Sequence, residues 1–174
     1  PGGVPDPVRV SAMVGALTHR GPDEFGLYRD DRAALGHARL SIIDLASGQQ
    51  PLSNERGDLW IVFNGEIFNY VELREELEGR GHCFRTKSDT EVIVHAYEEW
   101  QNDAFRRYSA QWALALWNST TSSLVLARDP YGVRPLYVAE HDGRLTFASE
   151  VKALFAGEPD LPRRFDAVGL DQVF

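Results

Sequence analysis

Apolar residues recur at two different spacings along this 174-residue chain, and the spacing separates segments that can be helices from segments that can be strands. Over residues 7–18, Val10, Met13, Val14 and Leu17 share one face at three- and four-residue steps, which predicts an amphipathic helix. It stops at His19-Arg20-Gly21-Pro22-Asp23, where the Gly-Pro pair punctuates the chain. A second helix is expected over about 70–78, with Asn69 and Glu72 placed as a capping box. A third is expected over about 90–100, with Val92, Ile93, Ala96, Tyr97 and Trp100 inward and Ser88 and Glu91 as another capping box. "EVKALFAG" reads as a short helix closed by Gly157.

The remaining apolar runs alternate. "FGLYRDDRAALGHARLSII" predicts a hairpin turning at Asp30-Asp31, followed by a polar loop, "ASGQQPLSNERGD". "LWIVF", 59–63, reads as a buried strand and "HCFRTKS" as an extended stretch. In "WALALW", 112–117, large side chains at 112, 114 and 116 alternate with alanines, the pattern of a strand with one crowded and one tight face. "LVLARD" returns from the "STTSS" turn, and "VRPLYVAE" pairs with "RLTFASE" across Asp142-Gly143. Antiparallel strands dominate and the helices come in blocks, which favours an α+β fold with helices layered on sheets. "EPDLPRRFD" has the composition of a linker, and "AVGLDQVF" looks like the start of a further segment.

Composition narrows the partners. Hydrophobic content of 43% and charged content of 25% suit a globular domain, and no apolar run is long enough to span a membrane. The opening "PGGVPDPVRV" has no signal-peptide pattern. A net charge of −8 without a basic stripe argues against nucleic acid as a partner. A single cysteine, Cys83, gives neither a disulfide framework nor a zinc cluster, so a cytoplasmic location is expected and Cys83 reads as a semi-buried structural residue. Among the five histidines no two share helical metal spacing, so no metal site is expected.

Chemistry enters at "IVFNGEIFNY", 61–70. Asn64-Gly65 is the commonest type I′ turn dipeptide, yet a helix follows it instead of a partner strand. An Asn amide and a Gly N–H at a strand end can also converge on one oxygen, as in an oxyanion hole. Arg39, among apolar residues, fits either an ion pair, for instance with Asp44, or a bidentate carboxylate clamp. Asp89 fits either helix capping or an ammonium partner.

The order of these segments carries more than any one of them. "HRGPD", "HARLSIID", "QPL", "FNGEIFNY", "SDTEVI", "RDPYGVRPLY" and "ASEVKAL" follow one another as in the N-terminal glutaminase domain of glutamine-dependent asparagine synthetases, which this chain closely resembles from about Val10 to Pro162. Those domains are class II glutamine amidotransferases, within the N-terminal-nucleophile hydrolases. The resemblance implies a four-layer αββα sandwich of two antiparallel sheets between helices. It implies a glutaminase domain over 1–157 and, over 158–174, a linker and the start of a synthetase domain. It also implies roles: Asn64 and Gly65 as the oxyanion hole, Arg39 on the glutamine α-carboxylate, Glu66 and Asp89 on the α-amino group, and Arg20 supporting the surroundings of the nucleophile.

The family's nucleophile is an N-terminal cysteine, whereas this sequence begins Pro1-Gly2-Gly3 and is shortened by about one strand before the first helix. The 174 residues alone are therefore expected not to hydrolyse glutamine, and Cys83, with no free amine beside it, is not expected to substitute. Relatives more often carry glycine at position 110 and aspartate at 118, where this chain has Ala110 and Asn118. The parent is expected to release ammonia from L-glutamine and pass it to a C-terminal ATP-dependent synthetase domain. No cofactor is expected in this domain, ATP and Mg belong to the synthetase domain, and a homodimer is one expected assembly of the parent. The alternative is a non-catalytic scaffold domain of a β-lactam-synthetase-like or peptide-modifying amide-forming enzyme.

Overall fold

The computed structural model describes residues 4–40 and 48–164. The first helix, α1 (Pro7–Ala16), starts where Pro7 offers a pre-set φ and Asp6 accepts a hydrogen bond from the Val8 N–H. The hairpin then forms as β1 (Glu24–Arg29) and β2 (Ala34–Arg39), its turn tied by the Asp30 carboxylate to the N–H groups of Arg32 and Ala33. The predicted polar loop is less irregular than its composition. It contains a two-residue strand, β3 (Leu52–Ser53), because Leu52 is apolar enough to be buried beside the next strand. Residue 44, and with it the ion pair considered for Arg39, lies outside the described residues, as does 165–174.

The strand expected to end at Phe63 continues four residues further, as β4 (Leu59–Ile67). Asn64-Gly65 is thus neither a turn nor a strand end. β5 (Ala110–Asn118) pairs with all nine β4 residues, and this long ladder carries the chain straight through Asn64, Gly65 and Glu66. Helix α2 (Tyr70–Gly79) follows. Asn69 stands at its N-cap but does not cap with its side chain. The amide is drawn away to the Arg107 carbonyl and the Ser109 N–H. Helix α3 (Asp89–Trp100) is capped by Ser88, while Glu91 turns away from the box to accept from the N–H groups of Arg85 and Thr86.

After a 3-10 turn at Gln101–Arg107 come β5, β6 (Ser123–Arg128), and the hairpin of β7 (Tyr137–His141) with β8 (Arg144–Ala148). Asp142 and Gly143 both have positive φ, as a type I′ turn requires. A last helix, α4 (Val151–Gly157), ends at Glu158, the first residue of the predicted linker. Glu158 is buried and held by Arg9 and bidentately by Arg144, so it belongs to the packed structure.

Three apolar interfaces stack these elements into four layers. The largest packs α2 and α3 on one face of the sheet β3-β4-β5-β6, through Ile61, Phe63, Leu77, Ile93, Trp112, Leu114 and Leu116. The alternation read in "WALALW" holds: Ala115 and Trp117 face the other way, toward Leu35 of β2, Val62 and Phe147 of β8. That second layer consists of the two hairpins, β1-β2 and β7-β8. The third interface covers β8 with α1 and α4 through Ala148, Ala153, Leu154, Met13 and Leu17. The order is α, β, β, α, with antiparallel pairing throughout the described strands.

Candidate active site

The site grows out of one strand edge. In an antiparallel strand, alternate residues aim both backbone polar groups to the same side. Asp129 donates its N–H to the Trp112 carbonyl, and its carboxylate accepts the Trp112 N–H, so Trp112 is turned toward β6. Its register partner Gly65 therefore aims its backbone at the opposite edge, with Leu59, Ile61, Phe63 and Ile67. Along that edge Leu59 is served by Asn54 and Ile61 by Leu52 of β3.

Beyond Ile61 the edge is served by side chains from three different segments. Gln50 Oε1 accepts the Phe63 N–H at 2.7 Å, and His37 Nε2 donates to the Phe63 carbonyl at 3.1 Å. Asp89 Oδ2 accepts the Ile67 N–H at 3.1 Å. Gly65 lies between these two anchored residues, and neither ladder supplies its N–H with a partner. Glycine is required there: φ is +152°, and a Cβ would sit 2.1 Å from the Gln111 carbonyl oxygen.

A cavity of about 730 Å³ opens on this edge, between β2 and β8 and below α1. The six residues given site roles from the sequence all line it: Arg20, Arg39, Asn64, Gly65, Glu66 and Asp89. Arg39 is buried, and its guanidinium donates to Glu24 Oε2, its cross-strand neighbour, at 2.7 Å. Arg20 donates to Glu150 Oε1 at 3.2 Å, which ties the "HRGPD" loop to the "ASEVKAL" segment. Asp89 is buried, and burial raises its carboxyl above the usual range. The backbone N–H groups of Ile67 and Thr90 oppose the rise, and the nearby Glu66 charge adds to it. A cation between Glu66 and Asp89 would relieve that repulsion.

Two residues of this edge escaped the sequence reading. His37 is i−2 from Arg39 on the inner face of β2, a period-2 relation that places both in one site. Burial pulls its pKa down to about 4, against the Phe63 carbonyl and with help from the Arg39 charge, so it stands neutral with Nδ1 buried and unpartnered. Gln50 precedes Pro51 in the "QPL" segment and joins β4 to Thr90 of α3. Cys83, expected semi-buried, is exposed and does not line the cavity.

A strand edge bearing an amide and an N–H without a ladder partner thus shares one cavity with a buried guanidinium and two carboxylates. The sequence profile of the glutamine amidotransferase domain matches residues 3–174, and the chain belongs to that family. Among curated relatives it is 43% identical over 152 residues to asparagine synthetase [glutamine-hydrolyzing] 1 of Bacillus subtilis, covering 87% of this chain and 24% of that protein. It is 44% identical to a probable asparagine synthetase of Dictyostelium discoideum, covering 79% of this chain and 25% of the relative. The chain thus spans about a quarter of the length of the curated relatives it matches. Among solved structures, glutamine phosphoribosylpyrophosphate amidotransferase from B. subtilis superposes over 89% of this chain and 42% of its own, with a TM-score of 0.73 at 23% identity, which speaks for the fold. No helix among the described residues is long and apolar enough to cross a membrane.

Proposed function

We propose that this domain binds L-glutamine by its α-carboxylate and α-amino groups and, in its parent protein, releases the side-chain nitrogen as ammonia for an asparagine-forming, ATP-dependent synthetase domain. The observation that carries the reading is the Gly65 N–H, left without a ladder partner on a strand edge between Phe63 and Ile67 and beside the Asn64 amide. Arg39, steadied by Glu24, clamps the carboxylate, and Asp89 with Glu66 takes the ammonium. The amide carbonyl then lies over Asn64 and Gly65.

The chemistry needs a thiol and a base, which the family supplies from an N-terminal cysteine. Its sulfur attacks the amide carbon, and a C–S bond forms while the carbonyl oxygen gains negative charge, held by Asn64 and Gly65. The C–N bond breaks, the nitrogen takes the thiol's proton through the cysteine's own amine and leaves as ammonia, and water cleaves the thioester to glutamate and free thiol. The cavity exceeds one amino acid in volume. Its apolar wall of Val14, Leu35, Val62 and Phe147 gives room for the strand that would present that cysteine. No metal or cofactor is required by these steps; ATP and magnesium belong to the synthetase half. The cytoplasm suits a chain whose one cysteine is exposed and free.

The test uses the full-length parent and compares glutamine-dependent with ammonia-dependent asparagine formation. Asn64→Ala should lower kcat with glutamine roughly 10²–10³-fold at little cost in KM, the usual effect of losing one oxyanion donor. Arg39→Ala should act mainly on KM. Both variants should keep ammonia-dependent synthesis, which bypasses this cavity. Unchanged glutamine use in Asn64→Ala would remove the oxyanion role.

A further inference from the structure

A second cluster of chemistry-bearing side chains lies outside the cavity, against the outer half of α3. His82, in the irregular connection between α2 and α3, and His95, in the middle of α3, bring their Nδ1 atoms to 3.2 Å. Glu98 Oε2 lies 3.2 Å from His95 Nδ1 and 3.9 Å from His82 Nδ1. A triangle with those sides has its centre about 2.0 Å from each corner, the length of a zinc bond to imidazole nitrogen or carboxylate oxygen. We propose that His82, His95 and Glu98 form a binding site for a zinc-class divalent cation. The reading from histidine spacing did not foresee it, because one of the two histidines sits on the irregular connection ahead of α3 and the other on the helix.

The surroundings of the three residues support a ligand role. An imidazole that binds a cation through one nitrogen ordinarily gives its other N–H to a carboxylate, which fixes the ring and raises its basicity. His82 Nε2 lies 3.3 Å from Glu99 Oε2. His95 Nε2 is buried without a hydrogen-bond partner, and the nearest acceptors facing it are Glu55 at 3.7 Å and Glu91 at 3.8 Å. With a cation on Nδ1, the Nε2 proton points toward those carboxylates. Glu98 is also prepared: Asn54 and Arg56 donate to its Oε1, which leaves Oε2 to face the histidines. Glu99 is likewise steadied by Arg80.

His95 is fully buried beneath the Phe84 ring, whereas His82 and Glu98 are partly accessible, so an ion can enter from solvent and a water can complete four-coordination. The bound ion would fasten the 82–88 stretch to α3 just ahead of Ser88 and Asp89, which stabilises the fold from outside the cavity without touching it.

The experiment is a zinc titration of the chain, stripped with chelator, followed by calorimetry and by histidine nitrogen NMR. One equivalent should bind with a Kd in the micromolar range or below, shift two Nδ1 resonances and raise Tm. His82→Asn and Glu98→Gln should each weaken binding at least tenfold while circular dichroism stays unchanged. Cys83→Ser should bind like the original, since the thiol lies outside the cluster. If His82→Asn fails to fold, Glu98→Gln with the NMR shifts decides. The proposal is overturned by absence of saturable binding below millimolar zinc, by retained affinity in both ligand variants, or by loss of binding in Cys83→Ser. The first result would leave the two histidines as a hydrogen-bonded pair without cation affinity, and the other two would place the bound cation on other ligands.

Discussion

The two ends of β4 solve one problem in different ways. From Leu59 to Ile61 the free edge of the strand is covered by its chain neighbours, β3 and Asn54, mostly backbone to backbone. From Phe63 to Ile67 it is covered by single side chains from remote segments, Gln50, His37 and Asp89. A backbone ladder satisfies every aligned group in turn, whereas side chains satisfy only those they reach. The second arrangement leaves the Gly65 N–H, between two anchored neighbours, without a ladder partner among the described residues.

The contrast is sharp enough to break by substitution. Gly65→Ala should have the largest effect, because the new Cβ meets the Gln111 carbonyl oxygen and Trp112 Cα and the backbone keeps a φ that L residues avoid. Overpacking and backbone strain together should cost roughly 2–5 kcal/mol in denaturant unfolding. A variant as stable as the original would mean that β4 has slack at this point.

His37 should make the cavity-lining end of β4 sensitive to acid. Its folded pKa, about 4, lies below its ordinary 6.5, so the unfolded chain binds the extra proton in between. Stability from this residue is complete above pH 6.5 and declines as pH falls toward 4, by up to about 3 kcal/mol. His37→Gln, which can still donate to the Phe63 carbonyl, should flatten that part of the pH–stability curve. Identical curves for the two proteins would show that the fold does not lower the His37 pKa.

The comparison can be closed with a matched pair on the two halves. Gln50→Ala removes the acceptor for the Phe63 N–H and should cost about 1–3 kcal/mol. Ser53→Ala, in β3, leaves the backbone ladder to Trp60 intact and should change stability by less than about 0.5 kcal/mol. Equal costs at the two positions would erase the distinction between the halves.

How much of this was readable beforehand follows from the range of the forces involved. Asp142-Gly143 gave its turn, Pro7 its helix start and "WALALW" its two faces, because turn geometry, φ preference and side-chain alternation act within a few residues. The end of β4 was not readable, since what carries the strand past Phe63 is pairing with β5, some fifty residues later. The expected caps failed in part for a similar reason: Asn69 and Glu91 were drawn to distant or loop backbone groups that needed them more.

The sequence by itself determined the α+β layering, the ordered motifs of the amidotransferase family and the residues that would line its site. Tertiary structure alone decided which backbone group stays unpaired, that His37 and Gln50 share the site, and that His82 meets His95. Local propensity is written residue by residue, but a hydrogen-bond partner is chosen by whichever segment folding brings within about 3 Å.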